Sequence, residues 1–119
     1  MYHTDWLMRQ IQMTTQVIAR LVFNKDAPVY EIVEAERQTA ADGLYTRLQV
    51  LLNSGRINEA ENLLFSEIDE TDLKYLMLAI DFYAELNKLS EEELERCDFS
   101  HEEISEGLAQ IKRMFAVTL

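Results

Sequence analysis

The sequence predicts a single all-α domain built from about five helices in an antiparallel array. Apolar residues recur at helical spacing along most of the chain. The 119 residues include only three glycines and one proline, too few turn formers for an all-β fold with many hairpins. Hydrophobic residues make up 48% of the chain, which argues against disorder and is enough for one core within residues 1–119.

The first predicted helix runs from about Asp5 to Asn24 and is apolar over a wide arc. Its apolar side chains cover roughly 220° of the helix surface, whereas a helix on one core needs little more than about 100°. We therefore expect residues 1–25 either to be wrapped by their own chain on two sides or to meet another chain. The clear polar strip contains Arg9, Gln12, Gln16 and Arg20.

Five large apolar residues of this helix form the candidate interface. A symmetric homodimer would bury the surplus arc of the helix against its own copy. The alternative is that these residues belong to the chain's own core, because a broad apolar arc fits both arrangements. The candidate residues are Trp6, Leu7, Ile11, Ile18 and Leu21.

The second predicted helix begins near Pro28 and ends near Asn53. Asp26 is placed to cap the first amides, and Pro28 fits a first turn, where its missing N–H costs nothing. Gly43 lies inside this helix and weakens it by about 1 kcal/mol relative to alanine, so a break into two shorter helices is the alternative.

The stretch LLNSGRINEAENLLF, residues 51–65, predicts a corner between two packed helices. Gly55 is expected to end the second helix as a C-terminal glycine cap. The third helix then runs from about Ile57 to Ile68, with Ala60 permitting close approach. The two helices and their corner form an αα-hairpin.

The fourth predicted helix runs from Thr71 to about Leu89 and is apolar almost all round. Such a helix belongs in the middle of a domain. One polar edge is predicted along it, formed by Lys74, Asp81, Glu85 and Lys88.

Two capping-box spacings introduce the last helices. Ser90 is followed three residues later by Glu93, and Ser100 by Glu103. The first predicts a short helical turn over residues 91–96 and the second a final helix. That helix carries a core-facing stripe of Ile104, Leu108, Ile111 and Phe115, and its Gly107 is expected to let a neighbouring backbone approach.

Charge and composition exclude several classes of function. The net charge is −11, with −1 on residues 1–50 and −10 on residues 51–119, so the field repels nucleic-acid phosphates and anionic lipid heads. No stretch approaches the ~20 apolar residues that span a bilayer, and no signal peptide is present. The single cysteine, Cys97, suits a reducing compartment. We therefore expect a cytoplasmic protein that binds neither nucleic acid nor membrane.

No catalytic residue, metal ligand or cofactor site is predicted, and the chain is not expected to be an enzyme. The acidic runs 91–93 and 102–103 lie in first helical turns, where the helix dipole favours negative charge. A di-iron bundle needs Glu-x-x-His on two helices, and the nearest match is the single Asp98-Phe-Ser-His101. Glycine-rich phosphate loops and zinc-ligand spacings are absent from the sequence.

Two resemblances extend this interpretation. Residues 44–72 resemble a single tetratricopeptide-type helical hairpin, through Leu44, Leu51, Gly55, Ile57, Ala60 and Leu64. The segments WLMRQIQM, GRINEAENLLF and DFYAELNKLSEEEL are similar to a family of small, uncharacterised bacterial all-helical proteins. That resemblance implies a cytoplasmic bacterial protein with the same fold, and it carries no known activity.

The function predicted from these features is a non-enzymatic protein–protein interaction or scaffold role through helical surfaces. The partner is another protein or a second copy, in a homodimer. The alternative is a small-molecule sensor or enzyme whose pocket is lined by aromatic residues of the fourth helix, Tyr75, Phe82 and Tyr83.

Overall fold

The computed structural model describes residues 2–33 and 38–117. Within these ranges the chain forms helices and no strand, which confirms the all-α prediction. The short turn over residues 91–96 accounts for the sixth helix beside the five main ones. The helices are α1 (Tyr2–Phe23), α2 (Ala40–Asn53), α3 (Ile57–Glu67), α4 (Leu73–Asn87), α5 (Glu91–Arg96) and α6 (His101–Met114).

Helix α4 lies at the centre of the fold, as its all-round apolar character predicted. It packs against α1, α6 and α2, and 11 of its 15 residues are buried. The predicted polar edge is correct for Lys74, Glu85 and Lys88, which are exposed. It is wrong for Asp81, which is only 3% exposed and faces the chain that precedes α2.

The predicted start of the second helix is also wrong. Helix α2 begins at Ala40, because Thr39 and Asp42 form a capping box there. The Thr39 hydroxyl oxygen accepts a 3.2 Å bond from the Asp42 N–H, and the Asp42 carboxylate accepts a 2.9 Å bond from the Thr39 N–H. Gly43 lies in the first turns of a continuous α2, so the helix does not break there.

Residues 24–33, which we call the strap, are extended or bent rather than helical. Pro28 therefore lies in the strap and not in a helical first turn. Proline's fixed φ suits an extended segment as well as a helix start, so the local signal was ambiguous. The strap leaves the end of α1 and runs beside α4.

The αα-hairpin corner is confirmed. Gly55 has φ +73°, a left-handed conformation that glycine adopts without strain. Its N–H donates to the Leu52 carbonyl at 3.0 Å and the Arg56 N–H to the Leu51 carbonyl at 2.9 Å, the two bonds of a Schellman motif. Helices α2 and α3 pack together, and Arg47 forms an ion pair with Glu67 across them.

The two serine caps differ in detail. Ser90 and Glu93 form a complete capping box, with both reciprocal bonds at 3.1 Å. At Ser100 the hydroxyl accepts from the Glu103 N–H at 3.2 Å and donates to the Glu103 carboxylate at 3.1 Å. Helix α6 packs on α4 and α1 through its apolar stripe, as predicted.

Gly107 in α6 does admit a close neighbour, but that neighbour is a side chain rather than a backbone. A Cβ at this position would lie 2.1 Å from the hydroxyl oxygen of Tyr83. Tyr83 is fully buried, and its hydroxyl donates a 2.6 Å bond to Glu61 on α3. The glycine therefore makes room for a buried tyrosine that joins α3, α4 and α6.

Candidate functional site

One line of large apolar side chains on α1 stays exposed although the opposite side of the helix lies in the core. We call it the α1 stripe and define it as Trp6, Met13, Val17 and Leu21. These side chains are 53%, 60%, 38% and 71% exposed. Their spacing of 7, 4 and 4 residues keeps them within roughly 80° of the helix circumference. The surplus apolar surface expected of this helix is thus concentrated in one strip.

The structure divides the five candidate interface residues between two sides of α1. Leu7, Ile11 and Ile18 are 7%, 2% and 0% exposed and lie in the chain's own core. Trp6 and Leu21 are exposed at opposite ends of the stripe. Sequence reasoning left out Met13 and Val17 as candidates. Their positions at i+7 and i+11 from Trp6 are the signal that would have found them.

The surroundings of the stripe are less acidic than the chain as a whole. Helix α1 carries Arg9 and Arg20 against one acid, Asp5, in a protein of net charge −11. Arg20 forms an exposed 3.3 Å ion pair with Asp26 of the strap. Two like-charged molecules would repel each other least through this face.

The strap is held on α4 by a buried carboxylate. The Tyr30 N–H donates a 2.6 Å bond to Oδ2 of Asp81, while the buried Oδ1 of Asp81 has no hydrogen-bond partner in the described part of the chain. Burial raises the pKa of Asp81 to about 6, against the opposing effect of the Tyr30 hydrogen bond. Sequence reasoning missed this role. Its signal was a single acid inside the apolar run over residues 75–84.

Tyr30 also ties the strap to α2. Its hydroxyl donates to Oδ1 of Asp42, and its ring stacks on Tyr45 with centroids 5.0 Å apart. The hydrogen bond from Tyr30, together with the Thr39 N–H, lowers the pKa of Asp42. Tyr30 therefore connects α2 and α4 through two different carboxylates.

Two cavities flank the strap, and Val29 lines both. The first, which we call the strap cavity, has a volume of about 580 Å³ and lies between the polar strip of α1, the strap and the last turn of α4. The second, of about 630 Å³, lies towards the first turn of α4. Both volumes fall in the range of small-molecule pockets, roughly 300–1,000 Å³.

Two buried polar residues line the strap cavity. Nδ2 of Asn87 donates a 2.8 Å bond to the Met8 carbonyl, and its buried Oδ1 has no hydrogen-bond partner within residues 2–33 and 38–117. If the Asn87 amide were turned over, its Oδ1 would face the carbonyl oxygen of Met8. The hydrogen bond to Met8 therefore fixes which side of the amide is nitrogen. Thr15, 1% exposed, donates its hydroxyl proton to the Gln12 carbonyl at 3.0 Å. The Asn87 oxygen thus has full acceptor capacity to spare, and the Thr15 hydroxyl has already used its one proton.

The aromatic residues of α4 line neither of these two cavities. Tyr75, Phe82 and Tyr83 are 7%, 2% and 0% exposed and belong to the core. Within residues 2–33 and 38–117, histidine, cysteine and acidic side chains form no group of three that could hold a metal ion. Over the same residues, no helix is both long and apolar enough to cross a membrane.

The comparison with protein families gives one match. Residues 1–116 match DUF6483, a family of unknown function, and the chain belongs to that family. No curated protein and no solved structure matches the chain. The resemblance of residues 44–72 to a tetratricopeptide-type hairpin therefore stays a prediction, as does a bacterial origin.

Proposed function

We propose that this member of DUF6483 is a non-enzymatic interaction protein that associates with a second copy of itself through the α1 stripe. The observation that carries the proposal is the concentration of four exposed apolar side chains on a helix whose other side is already in the core. Large apolar residues in one contiguous strip are typical of interaction surfaces, whereas scattered ones need no explanation.

The stripe is suited to an antiparallel symmetric pairing. Trp6 and Leu21 lie about 22 Å apart along the helix axis, and the midpoint between them falls next to Met13. A two-fold axis at that midpoint brings Trp6 of one copy opposite Leu21 of the other, twice, because a symmetric interface uses the same patch on both subunits. A large aromatic ring then packs on an aliphatic side chain at each end of the contact.

Charge is compatible with this arrangement. Each copy has a net charge of −11, and α1 is the helix that contributes two arginines against one acid. The antiparallel register places Arg9 of one copy near Arg20 of the other, and Asp26 compensates the charge of Arg20.

The experiment is a measurement of mass by light scattering behind size exclusion at several concentrations. We expect about twice 13.9 kDa for the natural chain. Leu21→Glu should give a folded monomer, because it places a charge in the contact without touching the core. Val50→Glu on α2, where Val50 is 62% exposed, is the matched control and should remain a dimer. A natural chain that is monomeric at every concentration contradicts the proposal.

The register has its own test, in a Cys97→Ser background. Met13→Cys places a thiol beside the two-fold axis, so we expect an intermolecular disulfide under mild oxidation. Trp6→Cys places the two thiols far apart and should not cross-link. Cross-linking by Trp6→Cys as well as by Met13→Cys would replace the antiparallel register with a parallel one, in which each residue of the stripe faces its own copy. The Ile18→Glu change is unsuitable as an interface test, because Ile18 is fully buried in the core.

A further inference from the structure

We infer that the strap cavity binds a small zwitterion with an apolar body, such as a free amino acid with a large side chain or a dipeptide. The inference is separate from self-association, because the cavity is lined by the polar strip of α1 and not by the stripe. The residues on which it depends are Asn87, Thr15, Arg9 and the apolar lining described below.

The buried part of the cavity requires hydrogen-bond donors from a ligand. Oδ1 of Asn87 has no partner among the residues that the structure describes, and one N–H of the amide donates to the Met8 carbonyl. Thr15 has already donated its proton to Gln12. Because an unpaired buried acceptor is costly, a ligand that brings an N–H group is favoured there over one that brings only acceptors.

The position of Asn87 favours a positively charged donor over a neutral one. Asn87 is the last residue of α4, where the helix dipole places a partial negative charge. Lys88 follows it, but its ammonium group is held by Glu85 at 3.0 Å. An ammonium group therefore suits both the Asn87 oxygen, as a hydrogen-bond donor, and the partial negative charge at the end of α4.

Arg9 supplies the complementary group for a carboxylate. It lines the cavity, and within the described part of the chain it makes no hydrogen bond and no ion pair. Guanidinium groups bind carboxylates with two parallel hydrogen bonds. The charged residues that line the cavity, Asp5, Arg9, Glu85 and Lys88, sum to zero, which favours a ligand of zero net charge over an anion or a polycation.

The remaining lining provides the contact for an apolar body. Met8 on α1, Pro28 and Val29 on the strap and Ala84 on α4 border the cavity. A volume of about 580 Å³ accommodates a large amino acid or a dipeptide and exceeds what one or two water molecules need. The ligand would thus lie between α1 and α4, under the first half of the strap.

The experiment is titration calorimetry of the full chain with three probes, L-phenylalanine, L-leucine and leucyl-leucine. We expect saturable binding of at least one probe, and loss of it for the N-acetylated form, which lacks the ammonium group. Arg9→Gln should weaken binding roughly tenfold to a hundredfold, the range for a charged hydrogen-bonding partner. Arg20→Gln, an exposed arginine of α1 outside the cavity, is the matched control and should bind as the natural chain does.

A second variant and a second readout complete the test. Asn87→Leu should abolish binding, and its helix content and oligomeric mass show whether it is folded. If it does not fold, methyl NMR of the natural chain replaces it, with shifts expected at Met8 and Ala84 on addition of a probe. Absence of binding up to about 10 mM of all three probes overturns the inference, since such affinities lie outside the millimolar range. The inference is also overturned if Arg9→Gln binds a probe as tightly as the natural chain does. Chemical-shift changes at Leu73 and Met77, which line the second cavity, would overturn it as well.

Discussion

The backbone N–H of Tyr30 donates a 2.6 Å hydrogen bond to Oδ2 of Asp81, which lies 51 positions further along the chain. The acceptor belongs to the most buried helix of the fold, and the donor to a segment with no regular secondary structure. This bond holds the strap against α4.

The buried carboxylate of Asp81 should make stability fall as pH rises through the mildly acidic range. Burial raises its pKa from the ordinary 3.8 to about 6, so the folded chain holds this proton more tightly than the unfolded chain does. The free energy of unfolding then decreases between these two pH values, by about 3 kcal/mol in all at ~1.4 kcal/mol per unit. Asp81→Asn removes this pH-dependent part of the free energy of unfolding. The new amide oxygen can still accept the hydrogen bond from the Tyr30 N–H.

We therefore expect Asp81→Asn to gain stability relative to the natural chain as pH rises from roughly 4 to 7. Urea unfolding at a series of pH values measures this difference. Glu70→Gln, an exposed acid between α3 and α4 whose charge is not among the causes of the Asp81 shift, is the control and should leave the profile unchanged. Parallel pH profiles for Asp81→Asn and the natural chain would show that the carboxyl is not perturbed by burial.

Removing the Tyr30 hydroxyl should destabilise the fold at neutral pH. Tyr30→Phe leaves the 5% exposed Asp42 without its side-chain donor, at a cost of about 1–3 kcal/mol. The hydrogen bond lowers the pKa of Asp42 in the folded chain. The stability that this bond contributes is therefore present above the pKa that Asp42 has in the unfolded chain, and it is lost as pH falls through the pKa of Asp42 in the folded chain. The difference between variant and natural chain should therefore shrink below about pH 4.

The matched control for this change is Tyr45→Phe. Tyr45 stacks on Tyr30, and its hydroxyl makes no hydrogen bond among the residues that the structure describes. Thermal unfolding at pH 7 should place it close to the natural chain. Equal losses for both phenylalanine variants would mean that the Tyr30 hydroxyl contributes nothing beyond its ring.

Two glycines within helices should respond in opposite directions to alanine. Gly43→Ala in α2 meets no atom within 4 Å and should stabilise the fold by up to about 1 kcal/mol through helix propensity. Gly107→Ala in α6 places a methyl group against the Tyr83 hydroxyl and should cost about 1–3 kcal/mol, the usual range for overpacking. Chemical denaturation of both variants under one set of conditions measures the contrast.

A double variant tests the cause of the second effect. Tyr83→Phe removes the oxygen that would lie 2.1 Å from the new methyl group. It should therefore be less harmful in the Gly107→Ala background than in the natural chain, where it breaks the bond to Glu61. Strictly additive losses would place the strain on the ring carbon of Tyr83, which would lie 2.5 Å from the methyl group, rather than on the hydroxyl.

Salt should strengthen the proposed self-association. Two molecules of charge −11 repel each other, and at 0.5 M NaCl this repulsion is screened within about 4–5 Å, while the apolar contact of the stripe persists. We expect the dimer dissociation constant to fall several-fold between roughly 0.05 M and 0.5 M NaCl. Sedimentation at both salt concentrations measures it. A weaker association at high salt would instead mean that opposite charges, and not the apolar stripe, hold the two copies together.

Most helix boundaries could be predicted from the sequence because their signals are local. The Ser90 and Ser100 caps and the Gly55 corner each depend on residues within one or two turns, and all three occur where the pattern placed them. The central position of α4 followed from its apolar residues on every side. The start of α2 did not follow, because the sequence interpretation placed it at Asp26–Pro28, whereas the Thr39–Asp42 capping box begins the helix.

The sequence by itself determined an acidic, all-helical chain with these caps, one hairpin corner and a first helix with apolar surface to spare. Only the tertiary structure decided which side of α1 faces the core and which side carries the exposed stripe. It likewise decided that Asp81 is buried and that Asn87 borders a cavity. The physical reason is that capping and periodicity act within a few residues, whereas burial depends on which neighbour covers a face, and here that neighbour lies tens of positions away in the chain.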